Sequence, residues 1–292
     1  MRPGDRGATS TKVPRPVIAL VHIQKTAGTS LKFILKNSFG LSHCDVNAID
    51  PSVGAPFGEK DLDFVLGFCP NLRSISGHEV IEPTSNLGNR VLPYTLLREP
   101  IRRSISHFQD KNVRGARSVT LDEFLLDEAN HDLQVRKIAG EPNLQKAIDL
   151  LEERFLFVGL TERFNLSLKV FEALCPYRLN LRQKSQHVAL DNRIRDRIAS
   201  SPEQVDRFAS VNRLDTELYS FVDQVLFPRM VARAGLSNRD YEQAASPSDW
   251  PAPKYIANRL FHKLVYRTFL KHERRKRSRL RHDSRLSTSD HE

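Results

Sequence analysis

An apolar, β-branched run, PVIALV, ends at Val21 and gives way within a few residues to a segment of helical spacing; between them lies HIQKTAGTSL, His22 to Leu31. A buried strand that turns directly into a helix predicts a parallel sheet with helices packed over it. We read Val17 to Ile23 as the strand and Thr29 to Ser38 as the helix, with Leu31, Ile34 and Leu35 at its apolar positions. The turn between them leaves helix amides without intrahelical partners, backed by the positive end of the helix dipole. A phosphate or sulfate suits such a place. Lys25 adds a point charge, Thr26, Thr29 and Ser30 add hydroxyls, and Gly28 lets the backbone approach a ligand closely. The same residues also have a plainer reading, with Thr29 or Ser30 as an N-cap, Gly28 as a turn residue and Lys25 as a solvated charge. An ordinary ATP or GTP loop is not written here, because the lysine precedes the only glycine.

A second stretch, LLREPIRRSISHF from Leu96 to Phe108, repeats the theme. Arg98 ends the strand RVLPYTLL, read over Arg90 to Leu97, and Pro100 sits where a first helical turn accepts it, opening a helix through about Asp110. An arginine at a strand terminus offers a rigid, permanently charged fork for a phosphate, and Ser106, two turns into the helix, adds a hydroxyl. The alternative is that Arg98 pairs with a nearby carboxylate such as Glu99 or Glu162, the other arginines forming a solvated face.

The remaining pattern alternates strands and helices. A short helix is expected around Asp61 to Leu66 within loops from Cys44 to Phe68, and a short strand over Arg73 to Val80. Thr120 and Glu123 form a capping-box pattern that opens a helix to Glu128. Further helices are expected over Pro142 to Glu153, Asn165 to Leu174, Pro202 to Val211 and Asp215 to Leu226, with a strand at Phe155 to Leu160. The fold class is therefore α/β: a three-layer, P-loop-like arrangement with a central, mostly parallel sheet flanked by helices and with ligands at the carboxyl ends of the strands.

Charge divides the chain. From Lys254 to the end there are 12 Lys and Arg against 4 Asp and Glu, which accounts for most of the net charge of +10. The high isoelectric point therefore describes a tail and does not mark a specific nucleic-acid binder. That tail, YIANRLFHKLVYRTFL running into KHERRKRSRLRH, reads as a basic amphipathic helix, able to lie on an anionic membrane or simply to dock with a solvated end. We divide the chain into a flexible start over 1–16, one domain over 17–235, and a linker, helix and disordered tail over 236–292. No run is apolar enough to span a bilayer or to serve as a secretion signal, so a cytoplasmic protein, peripheral to the membrane at most, is expected. Cys44, Cys69 and Cys175 are scattered with no metal-ligand spacing.

Taken together and in this order, the two stretches resemble the sulfotransferases that use 3′-phosphoadenosine 5′-phosphosulfate (PAPS), most of all the carbohydrate branch typified by heparan sulfate 2-O-sulfotransferase and its bacterial relatives. ISGHEV, FVGLTERFNLSL, LNLRQKSQ and NRLDTELYSF look like the same family, so the resemblance runs from about Val17 to about Leu226. It implies PAPS as donor, with Lys25, Thr26, Gly28, Thr29 and Ser30 holding the 5′-phosphosulfate and Arg98 and Ser106 the 3′-phosphate. Arg182 and Lys184 are weaker candidates for anion contacts. Sulfuryl transfer needs positioning, charge stabilisation and a base, and no metal. Lys25 is placed to neutralise the leaving oxygen, and His78, in the Gly-His of ISGHEV, is the expected base. Relatives acting on heparan sulfate carry a second histidine where this chain has Ser76. Glu79, His107 and His22 are fallback bases. The implied acceptor is a hydroxyl of a carbohydrate or glycolipid. The competing readings are a nucleotide kinase with an atypical phosphate loop, which would need Mg²⁺, and an inactive relative whose basic tail binds polyanions or membranes.

Overall fold

The computed structural model describes residues 16–50, 55–81, 87–115, 118–181, 193–237 and 252–277. Five strands, β1 (Val17–Val21), β2 (His43–Asp45), β3 (Ser74–Gly77), β4 (Val91–Leu97) and β5 (Phe157–Leu160), form one sheet in the order β2-β3-β1-β4-β5, with every neighbouring pair parallel. All five residues of β1 are buried, as a continuous apolar run in a central parallel strand requires.

Helices flank the sheet: α1 (Gly28–Phe39), α2 (Glu59–Phe68), α3 (Pro100–Arg114), α4 (Leu121–Leu126), α5 (Leu133–Ala139), α6 (Leu144–Glu153), α7 (Phe164–Leu174), α8 (Arg193–Ala199), α9 (Pro202–Ser210), α10 (Arg213–Phe221) and α11 (Phe227–Arg233). A π turn, Val222–Leu226, joins α10 to α11. The α/β expectation holds. Pro100 stands in the first turn of α3, and Thr120 and Glu123 form the capping box of α4. Helix α11 lies past the expected end at Leu226, and three further elements escaped the sequence reading. They are β2, within a stretch read as loop, together with α5 and α8. Strand β2 is only three residues long and exists through its pairing with β3. Helix α5 is capped from far away, because the Asp215 carboxylate accepts hydrogen bonds from Gln134 N and Val135 N at 3.1 and 2.8 Å.

The main core fills the space between sheet and helices. A second apolar cluster, including Ile105, Phe108, Phe124 and Phe208, fixes the outer side of α3 against α4 and α9.

The C-terminal helix, α12 (Pro253–Phe261), runs through a π turn at His262–Tyr266 and stays helical over 267–277. It lies along the β2 edge. Asn258 Nδ2 donates to the Gly40 and His43 carbonyls at 2.8 and 2.6 Å, and the Tyr266 hydroxyl accepts from Asn47 N at 2.7 Å. Polar side chains thus take up backbone groups that an open sheet edge would leave to solvent. The expected flexible start over 1–15, the linker over 238–251 and the end of the tail over 278–292 lie outside the described residues, as do Arg182 and Lys184.

Candidate functional site

Strand order decides which loops meet. The chain fills positions on the β3 side of β1 and then crosses to β4, so the crevice opens where the order reverses, at the carboxyl ends of β3, β1 and β4. Those three ends carry His78, the Gln24-to-Ala27 turn and Arg98.

The turn after β1 is wound tightly. Lys25 and Ala27 both have left-handed backbone, at φ 71° and 60°, which costs a non-glycine residue about 1 kcal/mol or more each. Left-handed residues set this close together in a turn are compatible with a backbone nest, a concavity of amides that suits an anion. Ala27 also stands at the N-cap of α1 and provides no side-chain acceptor for the first-turn amides. The Thr26 hydroxyl is buried and donates to the Ile23 carbonyl at 3.0 Å, so it shapes the loop from within. Thr29 is exposed, and Ser30 is half-buried at the same helix end.

Arg98 is clamped by its backbone. Gln134, fully buried in α5, accepts from Arg98 N at 3.0 Å and donates to the Arg98 carbonyl at 2.9 Å. Thr161 donates to the Leu97 carbonyl, and Glu162 accepts from Glu99 N. So held, the Arg98 guanidinium reaches across and donates to the Lys25 carbonyl at 3.1 Å. The two carboxylates that sequence alone offered as its partners are occupied elsewhere. Glu99 caps α3 through Ile101 N and Arg102 N, while Glu162 accepts from Glu99 N and the Tyr219 hydroxyl. Burial holds the pKa of Arg98 below its ordinary value, with Glu162 opposing. A partly desolvated guanidinium of this kind stays charged and gains from an incoming anion.

The Lys25 ammonium rests 3.0 Å from Asp110 on α3, the two side chains being 26% and 33% exposed. A pair that accessible contributes little and exchanges easily. Ser106 lies four residues before Asp110 and hence on the same face of α3. Lys25, Arg98 and Asp110 are thus gathered at the turn.

On the other side stand two histidines. The His22 and His78 rings stack with centroids 4.2 Å apart. His22 is also the reason for a glycine at position 28, since a Cβ there would come within 1.8 Å of His22 Nε2. Burial, then the charges of His78 and Lys32, push the pKa of His22 down to about 2. His78, just past the end of β3, keeps part of its surface in solvent; burial of the rest, then Lys32 and Lys137, lower its pKa from the ordinary imidazole value. Both rings are therefore neutral near neutrality. Lys137 Nζ donates to the His78 carbonyl at 2.6 Å and steadies that turn.

Ser76 lies fully buried, and its hydroxyl donates to Asp45 at 2.5 Å. Burial opposes ionisation of Asp45, but its hydrogen bond with His43 and the ammonium groups of Lys32 and Lys36 outweigh that and hold the carboxyl far below the usual range. This network ties α1 to β2 and β3 beneath the site.

The structure gives His22, read from sequence as a fallback base, a packing role between Gly28 and His78, and brings in two residues that sequence reasoning passed over: Asp110 as the partner of Lys25, and Gln134 as the clamp on Arg98. His22 was legible as a histidine inside the motif; the other two carry no local signal. The stretch NRLDTELYSF turns out to brace the site from behind: Asp215 caps α5, and Asn212 Oδ1 accepts from the buried Arg103 of α3 at 3.5 Å. Set against models of known protein families and against curated proteins, the chain matches none. Among the described residues no helix is long and apolar enough to cross a membrane.

Proposed function

We propose that the chain is a transferase that takes a group from a nucleotide phosphorylated at both ends of its ribose. The observation that carries this is the 3.1 Å contact between the Arg98 guanidinium and the Lys25 carbonyl, which joins two segments, 73 residues apart, that the sequence offers as anion sites. A second cation beside the loop suits a donor that carries phosphate on both sides of its ribose. More particularly, the reading is a PAPS-dependent sulfotransferase, cytoplasmic, acting on a hydroxyl of a carbohydrate or glycolipid.

In this reading the loop amides and Lys25 hold the 5′-phosphosulfate, and Arg98 and Ser106 hold the 3′-phosphate. The bond between sulfur and the phosphate oxygen breaks as a new sulfur–oxygen bond forms to the acceptor, and 3′,5′-ADP leaves with the electron pair. Lys25 leaves Asp110 and neutralises the oxygen on which charge grows. His78, kept neutral by its surroundings, takes the acceptor's proton. His22 packs behind it and fixes the plane of the ring.

Calorimetric titration of the full chain with 3′,5′-ADP, with and without Mg²⁺, tests this. Metal-independent binding is expected, weakened by about 2–4 kcal/mol in Arg98→Ala and far less disturbed in Lys25→Ala, which should instead abolish turnover. Absence of binding, or preference for ATP with Mg²⁺, would refute the reading.

A further inference from the structure

Docking of the C-terminal helix on β2 uses up only one of its faces. Tyr266 and Leu270 are buried, and Asn258 is held between backbone carbonyls. On the outward face Ile256, Leu260 and Leu264 recur every four residues and are 52%, 54% and 65% exposed. They form an apolar row along solvent. Directly beside it runs a second row at the same spacing, Arg259, Lys263, Arg267 and Lys271, every one exposed. Over 253–277 the helix carries a single carboxylate, Glu273, and that group pairs with Arg277 at 3.0 Å.

We infer that this face is a docking surface for an anionic lipid bilayer. Each row selects among occupants. A nucleic acid or another polyanion would engage the cations and has no use for a strip of exposed aliphatic side chains. A second copy of this chain would cover the aliphatic strip only by setting one row of cations against another. A bilayer with anionic headgroups answers both features at once, because a helix lying in the interface buries its apolar row among acyl chains while flanking lysines and arginines reach the phosphates. At the far end of the cation row, Arg267, Lys271, Arg274 and Arg275 line a cavity of about 510 Å³ with Leu270 and Asn47. Four cations and an apolar wall suit a lipid phosphate with the start of its chains. The same Asn47 donates to Glu79, the residue after His78, at 3.2 Å. Docking therefore sets the carboxyl edge of the sheet beside the membrane surface. The surface stands independently of the reading of the donor site, and its failure would leave that reading untouched.

Co-sedimentation of the full chain with vesicles decides the matter, comparing phosphatidylcholine alone with equal parts phosphatidylcholine and phosphatidylglycerol. Binding to the mixed vesicles only, weakening as salt is raised, is expected. The pairs Leu260→Ser/Leu264→Ser and Lys263→Glu/Arg267→Glu should each lower the partition coefficient by roughly tenfold or more, with melting temperatures unchanged because all four side chains are exposed. Absence of binding to mixed vesicles, equal binding to both vesicle types, or undiminished binding of both variants would overturn the inference. So would a drop in solution mass of lipid-free protein on Leu260→Ser/Leu264→Ser, which would make the face a contact between copies.

Discussion

Gly28→Ala isolates the close packing at the heart of the site. On an open helix, alanine in place of glycine stabilises by about 0.5–1 kcal/mol, since it restricts the unfolded chain. Here the added methyl would lie 1.8 Å from Nε2, 2.3 Å from Cδ2 and 2.9 Å from Cε1 of His22, so the whole ring must swing away. Leaving the stack on His78 forfeits about 0.5–1.5 kcal/mol, and repacking around a misplaced ring costs about 1–3 kcal/mol. The balance is a net loss of about 1–3 kcal/mol, or a melting temperature lower by about 2–4 °C for each kcal/mol. Thermal unfolding followed by circular dichroism reads the first effect. Proton NMR titration of the histidines reads the second: His78, uncovered, should titrate closer to an ordinary imidazole. A variant more stable than the parent, with His78 unmoved, would refute the packing argument.

Mild acid should destabilise the fold. Burial holds His22 at about 2 and, with Arg103 and Lys111, His107 at about 4, both below the 6.5 of an unfolded chain, so below that pH the unfolded state takes up protons first. Between about pH 7 and about pH 5 each histidine forfeits about 2 kcal/mol. Asp215 works the other way. Burial raises it from 3.8 to about 6, so its protonation over the same interval returns about 1 kcal/mol. Denaturant unfolding at the two pH values should therefore show a net loss, and equal stability would contradict it. Asp110→Asn removes the carboxylate that competes for Lys25, and should tighten 3′,5′-ADP binding by roughly two- to fivefold in calorimetry with stability almost unchanged; weaker binding would mean that Asp110 helps to hold the nucleotide. His78→Ala should lower turnover by about 100-fold or more in a labelled-sulfate assay and leave 3′,5′-ADP affinity almost intact, and full turnover would rule out His78 as base.

Much of this architecture is local information. The run Val17 to Val21 is apolar throughout because it lies in mid-sheet, Pro100 announces α3, and Thr120 with Glu123 announces α4; each is a matter of a few adjacent residues, so each was readable along the chain. Strand β2 was not, since three residues acquire a strand conformation only by pairing with β3. The basic helix near the end was legible as amphipathic, yet apolar side chains occur on more than one of its faces. Asn258, His262 and Tyr266 chose which face turned inward, by hydrogen bonds to β2 and the turns on either side of it.

The candidate site divides in the same way. Its ingredients, a Lys-Thr turn, an arginine at a strand end and a histidine after a glycine, were written in three separate stretches. Their meeting was decided by placing β1 between β3 and β4, and by Gln134, itself held by Asp215, clamping Arg98 from 36 positions away. Residue types and spacing determine which short elements form, because the interactions involved span a turn or a few residues; adjacency of strand ends is a property of the packed sheet, and only burial of the whole core selects it.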